Sequence, residues 1–417
     1  MDSLPSIPSE ASVLPEGCQQ LGGLGARTLD AAALRPWTSN DQPLDLLLVL
    51  AATQTAEHEG ISAAGSTVAS RRYTALADAE LLIHGPARQR RWPLPPLPAG
   101  VSPALLSHVA ARRLTLRPQV AALGLAQKPD FPHLHIEPLD QGPSACLSSG
   151  AAMPLPRVQH LWRQGELLGR RLQRPLVVAE CVPGGTTTAQ AVLTALGVEV
   201  AHLISGSALH PPQQLKKDLV VRGLQRASLG AHPSAEQILA AVGDPFQAFT
   251  AGVVVGAVSA GQPLLLGGGC QMLAVLALAM QALPTLQRDQ LTAQVLIGTT
   301  SWLADEAADG AGQSPFGGLV DATAGHLAAA LSVLACGVRF HSSTHQPLRD
   351  YERGYVKEGV GAGALLLLAQ LRGCSCADLV LDCEHALEHL LSRPVTSSPR
   401  TSGESGWVPC AGAKCSR

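Results

Sequence analysis

The stretch Val177–Leu193, VVAECVPGGTTTAQAVL, decides the fold. A β-branched run ends in Glu180, breaks at Pro183-Gly184-Gly185, offers three threonines and resumes as an Ala/Leu-rich helical pattern. Strand, glycine turn and helix in that order form the repeating unit of a parallel α/β sheet. The same order builds an anion site. A helix N-terminus exposes unpaired N–H groups under the positive end of the macrodipole, and paired glycines let a phosphate approach closely. Thr186 and Thr187 can cap the helix or donate hydroxyls. A carboxylate repels phosphate, so Glu180 beside this turn must point elsewhere or serve another purpose. Taken alone, a Gly-Gly turn is also an ordinary βα loop. No Gly-Lys-Ser/Thr follows, so this is not a P-loop, and the G-x-G-x-x-G spacing of a dinucleotide fingerprint is absent.

Working outward, strand and helix signals alternate. Leu44–Ala52 is a continuous apolar run of strand length, as expected for a strand covered on both faces. Further strands are predicted at 120–125, 176–179, 198–203, 263–266, 293–297 and 338–340. Helices are predicted at 105–114, 157–172, 190–196, 212–224, 235–242, 246–260, 271–282, 324–336 and 362–371. The expected fold class is α/β, a Rossmann-like parallel sheet flanked by helices, with a small helical subdomain from the terminal regions. Residues 1–42 read as a partly disordered leader with a weak helical piece at 29–34, residues 43–392 as the α/β domain, and 393–417 as a disordered tail. Pro86–Pro103 holds too many prolines for a regular element and reads as a connecting loop or surface excursion.

Bulk composition narrows the function classes. The 417 residues are 46% hydrophobic and 3% aromatic, with a net charge of −2. Nucleic acid is therefore not expected as a partner, because phosphate backbones are bound by clustered excess Lys/Arg. The uncharged run Ala251–Met280 is long enough to span a bilayer, but Gln262-Pro263 and Gly267-Gly268-Gly269 split it into helix, buried strand and helix. The first residues, MDSLPSIPSEASVLPEG, lack a basic and then apolar signal segment, so a cytoplasmic protein without a membrane span is expected. Ten cysteines at irregular spacing, including the C-x-C of Cys374 and Cys376, match no zinc pattern, and no metal or cofactor is expected.

In a parallel sheet, ligands gather at the carboxyl ends of the strands. The residues expected there are coherent: the Glu57–Ser62 loop after the first strand, Glu180 with the Gly-Gly-Thr-Thr-Thr turn, and Ser205-Gly206 followed by Lys216 and Lys217. They continue with Gly268-Gly269 and the Thr299–Ser301 turn, and end with Ser342-Ser343 leading to Glu358 in a glycine run. Such turns supply donors for a polyoxygenated ligand, with lysine as counter-charge for phosphate. Singly, each turn is also an ordinary tight loop and each lysine a solvated helix face. Glu358 is either a helix-capping glutamate or, in a partly apolar cleft, a tuned general base.

The set resembles the nicotinate-nucleotide:dimethylbenzimidazole phosphoribosyltransferase family, in a divergent cyanobacterial and archaeal branch. The family's E-M-G-I-G-N-T-T turn is similar to Glu180–Thr187, and its G-E-G-T-G-A-A helix opening to K-E-G-V-G-A-G at 357–363. Its E-G-V-S-A loop looks like Glu59–Ala63, its G-G-F-E turn like Gly268–Gln271 and its F-S-H-R-S segment like Phe340–Thr344. Departures are Pro183 and Gly185 in the turn, the missing Asn, Gln271 in place of Glu, and Thr53-Gln54-Thr55 in place of D-H-G.

The resemblance implies transfer of 5-phosphoribose from nicotinate mononucleotide to a benzimidazole-like or purine base, giving an α-ribazole-type phosphate for the lower ligand of cobamides. It makes Glu358 the catalytic base and places Glu180 at the ribose. It puts Gly184, Gly185, Thr186, Thr187, Ser205, Gly206, Lys216, Lys217, Gly268 and Gly269 at the phosphate and ribose. Glu59, Ser62, Ser342 and Ser343 fall near the base, and a homodimer is implied. The rival expectation is a catalytically inactive nucleotide-binding regulatory homologue.

Overall fold

A computed structural model describes residues 14–23, 26–27, 29–86, 90–200, 202–206, 208–306 and 314–392. The start of the expected leader (1–13) and the whole expected tail (393–417) lie outside the described residues. Among the described residues seven strands form one sheet: β1 Gln19–Gln20, β2 Asp45–Ala51, β3 Pro118–Leu123, β4 Leu176–Cys181, β5 Leu264–Gly267, β6 Val295–Thr299 and β7 Val333–Ala335. Their order across the sheet is β1-β7-β6-β5-β4-β2-β3, all parallel except β1, which pairs antiparallel with β7. The chain steps outward from β2 to β3 and then returns to place β4 on the other side of β2. That reversal opens a crevice at the carboxyl ends of β2 and β4, where ligands of open parallel sheets bind.

The strands are apolar along their length because helices cover both faces. Residues 46–51 of β2 are all buried, with Leu47 and Val49 packing into one core and Leu46, Leu48 and Leu50 into the other. The uncharged 251–280 run resolves into helix Pro245–Ser259, β5 and helix Cys270–Ala282. Among the described residues no helix is long and apolar enough to cross a membrane. Helix Pro245–Ser259 starts at an Asp244/Gln247 capping box with proline at its first position, and it packs on helix Leu155–Arg170. Gly165, Gly169, Gly252 and Gly256 line that contact, and a Cβ on any of them would collide with the facing backbone. Gly252 and Gly256 of the uncharged run thus serve to bring two helices close together.

The terminal regions add helices. Ala31–Thr38 packs on Ala362–Leu371, and Cys376–Leu391 packs on Ala104–Arg113. Three local expectations need correction. The described residues of 198–203 form no strand: helix Gly185–Leu196 ends at Gly197 with φ 94°, and Val198 and Val200 fill the core from irregular chain. The helix expected at 324–336 is Pro315–Leu327, stopped by Ala328 in the left-handed region, and the following residues supply β7. The strand expected at 338–340 is irregular chain beyond β7.

Candidate functional site

At the β2/β4 crevice lies a cavity of about 530 Å³, walled by the end of β4, the turn after it and the loop residues 61–64, 94–103, 208–212 and 355–360. Ser62, Glu180, Gly184, Gly185, Thr186, Gly206, Lys216 and Glu358 all line it. Residues from segments as far apart as 62 and 358 therefore meet in one space.

Gly184 opens helix Gly185–Leu196 with φ 82° and rests against the backbone of Ala56, 3.2 Å from where a Cβ would stand. A Cβ on Gly185 would lie 2.5 Å from the Gln271 amide. Gln271 belongs to a buried network behind the turn: its Nε2 donates to Asp244 (2.9 Å), its Oε1 accepts from Gln247 (2.7 Å), and Thr188 Oγ1 donates to Asp244 (2.5 Å). The turn thus lines the cavity with its glycines and rests on a satisfied polar lattice behind it.

Lys216 is the cation of this end. Its side chain is almost fully buried, and Nζ donates to Thr186 Oγ1 at 2.9 Å. Burial, reinforced by the nearby Lys357 cation, pulls its pKa down to about 8. Lys357, absent from the sequence-derived set, is also buried and donates to Gly206 O (2.9 Å) and Glu306 (2.6 Å).

Glu358 sits across the cavity with both carboxylate oxygens engaged. Oε2 accepts from Thr299 Oγ1 (3.1 Å) and the Thr300 amide (2.9 Å); Oε1 accepts from the amides of Gly359 (2.9 Å) and Gly363 (3.3 Å). Burial raises its pKa to about 7, against the pull of those four bonds. Glu180 is raised further, to about 8, by burial and then by repulsion from Asp244 and Glu358. Its carboxyl accepts from the Val182 amide (3.0 Å), and its backbone carbonyl accepts from Val360 N (3.0 Å), tying β4 to the Glu358 loop. A Glu180 that is protonated at neutral pH carries no charge to repel a phosphate, which removes the conflict seen in the sequence.

Asp78, which sequence reasoning missed, also lines the cavity, next to the end of β4. It projects from helix Thr74–His84, accepts from Ser102 Oγ (2.5 Å) and Cys181 Sγ (3.5 Å), and burial raises its pKa to about 6. The only sequence signal was an acid on the buried face of an apolar helix. Leu94, Leu97, Pro98, Val101 and Leu209 line the same cavity with aliphatic surface, so residues 90–103 of the proline-rich segment are a loop as expected but enclose the cavity.

The structure leaves the other candidate residues outside the cavity lining. Lys217, about 100° round its helix from the buried Lys216, is exposed, and Glu59 is exposed. Gly268 stands beside Glu180, its Cβ position 3.8 Å from Glu180 Cγ, whereas that of Gly269 faces Leu303 at 2.6 Å. Thr187 and Ser205 are buried, and among the described residues their hydroxyls have no partner. Ser342 is exposed, and Ser343 is tied to Glu384 at 2.7 Å.

A family model described as Phosphoribosyltransferase matches residues 16–294, a span that includes the Gly184 turn and Lys216 and ends before Glu358. The UPF0284 protein of Parasynechococcus marenigrum (strain WH8102) is 58% identical over 394 residues, 94% of this chain and 99% of that protein. The UPF0284 protein of Prochlorococcus marinus (strain MIT 9313) is 54% identical over 398 residues, again 94% and 99%. Among solved structures, CobT from Thermus thermophilus superposes with TM-score 0.54 at 20% identity, covering 82% of this chain and 84% of that one. A nicotinate-nucleotide-dimethylbenzimidazole phosphoribosyltransferase from the same organism gives 0.53 at 19%, covering 82% and 83%. At these identities the structural likeness is one of fold.

Proposed function

The chain belongs to the nicotinate-nucleotide:dimethylbenzimidazole phosphoribosyltransferase family, and we propose that it moves 5-phosphoribose from nicotinate mononucleotide to a benzimidazole-like or purine base. The product is an α-ribazole-type phosphate, a building block for the lower ligand of cobamides. One observation carries this reading: Glu358, Glu180, the Gly184–Thr186 turn and Lys216 line a single cavity.

Each group then has a task that its surroundings suit. The 5-phosphate sits at the helix opening beside Gly184 and Gly185, with Lys216 as counter-charge. The acceptor lies against the aliphatic wall, with Asp78 and Ser62 as polar contacts. An acceptor ring nitrogen attacks C1′ of the ribose, the bond from C1′ to the nicotinate nitrogen breaks, and nicotinate leaves with the electron pair. The acceptor's N–H proton passes to Glu358, whose pKa of about 7 lets it take up a proton at neutral pH. Glu180, largely protonated there, donates a hydrogen bond to a ribose hydroxyl and holds the sugar in line.

The test is incubation of purified protein with nicotinate mononucleotide and a panel of benzimidazoles, phenols and adenine, with chromatography for free nicotinate. Release that depends on one class of base establishes transfer and names the acceptor. Binding of nicotinate mononucleotide without release with any base would overturn it in favour of a nucleotide-binding homologue that has lost the chemistry.

A further inference from the structure

Behind the Gly184 turn, outside the cavity, a cysteine and a histidine meet. The chain leaving β2 forms a short turn, Gln54–Glu57, that is stitched to residues 144–147 by Gln54 N to Ser144 O (2.8 Å), Ser144 N to Ala52 O (3.1 Å) and Leu147 N to Thr55 Oγ1 (3.1 Å). This clamp brings His58 Nε2 to 3.3 Å from Cys146 Sγ, with Ser148 Oγ 3.2 Å from the same sulfur. Both residues of the pair are half-buried.

Among the eight described cysteines, Cys146 alone has a histidine nitrogen on its sulfur. Burial pushes its thiol up, but the bonds from His58 and Ser148 outweigh burial and bring it down to about 7. Bonding to Cys146 in turn raises His58, helped by Glu57 and opposed by burial and by Arg222. The other seven described thiols all move the opposite way, with burial as the leading cause. Thiolate and imidazolium stabilise one another, as in activated cysteines generally.

The pair is also wired to the phosphate turn. Arg71 donates Nε to Ala56 O (2.7 Å) and Nη2 to His58 O (3.0 Å), holding the two residues as one unit, and Ala56 is the residue against which Gly184 rests. On the other side, Arg226 donates to Ser148 O (3.1 Å), and the Leu147 carbonyl packs on Gly223 of helix Gln213–Arg226, which carries Lys216.

We propose that Cys146 is a thiol–disulfide exchange site for low-molecular-weight disulfides, and that capping it loosens the Gly184 turn through His58 and Ala56. The Cys146 thiolate attacks one sulfur of the disulfide, a new bond to Sγ forms and the old S–S bond breaks. The second sulfur leaves with the electron pair and takes the His58 Nε2 proton. One half of the reagent is thus reduced to a thiol, and no further oxidant is needed. The cap occupies the space facing His58, so the His58–Ala56 unit loses its seat.

The probe is oxidised glutathione, applied to a C410S/C415S background because those two cysteines lie outside the described residues. Peptide mapping is expected to find the first adduct at Cys146, with an exchange rate half-maximal near pH 7. C146S removes that adduct. H58Q slows exchange at pH 7 by roughly tenfold and moves the half-maximum toward about 8.5, the value of an ordinary thiol. A first adduct at another cysteine, or a half-maximum already near 8.5 in the unaltered pair, would overturn the site. Amide exchange over 184–188 reads the second half of the proposal without any substrate. Protection there should fall on capping and return with dithiothreitol; unchanged protection in capped protein would overturn the link to the turn.

Discussion

The Gly184 turn takes its shape with one left-handed residue, and that residue is a glycine at φ 82°; the facing loop puts Val356, Lys357 and Val360 at φ 67°, 49° and 55°. A side chain in that region costs about 1–2 kcal/mol per residue, and β-branched residues are the least tolerant. The turn is therefore relaxed, its cost removed by sequence, whereas the Glu358 loop is forced and has to be held. What holds it is visible: Lys357 Nζ bonds to Gly206 and Glu306, Thr300 Oγ1 donates to Lys357 O (2.6 Å), and Val360 N reaches Glu180 O. Anchoring a phosphate needs only a stable helix opening. Placing a proton acceptor against a reacting atom needs tighter positioning, and backbone strain collects at such places when the surroundings over-determine the conformation.

The largest expected effect comes from the chemistry at the forced loop. Glu358→Gln should lower turnover by about 10²–10⁴-fold while nicotinate mononucleotide still binds, by rapid-quench chromatography and calorimetry. Wild-type turnover in that variant would remove the proposed base.

The next pair of variants sets the two regions against each other. Lys216→Met should raise KM for nicotinate mononucleotide by roughly tenfold or more, each tenfold being about 1.4 kcal/mol, with a smaller change in kcat. Lys357→Met, which frees the forced loop, should do the reverse and depress kcat more than KM. Matching effects from both would mean that the cavity does not divide its labour in this way.

Stability should also depend on pH. Glu180, Glu358 and Asp78 have raised pKa values, so the folded chain holds protons that the unfolded chain has already released between about 4.5 and about 8. Stability then falls as pH rises through that window, each group contributing up to about 1.4 kcal/mol for every tenfold by which folding tightens its hold on the proton. Melting curves from pH 5.5 to 8.5 should show the decline, and Glu180→Gln should flatten its upper part. The smallest effect belongs to Lys217→Met: exposed and off the cavity, it should change stability by less than about 0.5 kcal/mol and leave transfer unaltered.

Much of the architecture was legible because burial on both faces writes itself as unbroken apolar runs, as at 44–52 and 263–266. The same signal misled at 198–203. Val198 and Val200 are just as buried, and a short apolar segment does not reveal whether its backbone pairs with a neighbouring strand. Around 333 the Ala/Leu-rich composition read as helix, while pairing with β6 made it a strand, a tertiary effect that local propensity cannot carry. At the site, the strand-end rule and motif likeness picked out Glu180 and Glu358, because turns and short motifs are local; Lys216 was reached through the strand expected at 198–203, which does not form, and it lines the cavity from helix Gln213–Arg226. Asp78 and Lys357 escaped because their importance lies in what they face: Asp78 meets Ser102, and Lys357 meets Gly206 and Glu306. Lys216 and Lys217 are adjacent in sequence, and only the helix phase separates the buried one from the solvated one.

The loop from Leu94 to Pro103, with prolines at 95, 96, 98 and 103, encloses the part of the cavity proposed for the acceptor. Each proline ring fixes φ, so this wall had little conformational freedom to lose when the chain folded and has little left to lose when a ligand arrives. Under the proposed function, selection among flat aromatic acceptors turns on thickness and outline. A loop of flexible residues would mould itself to several rings with similar affinity, whereas a stiff aliphatic slot admits those of matching width and leaves a gap, or a collision, with the rest.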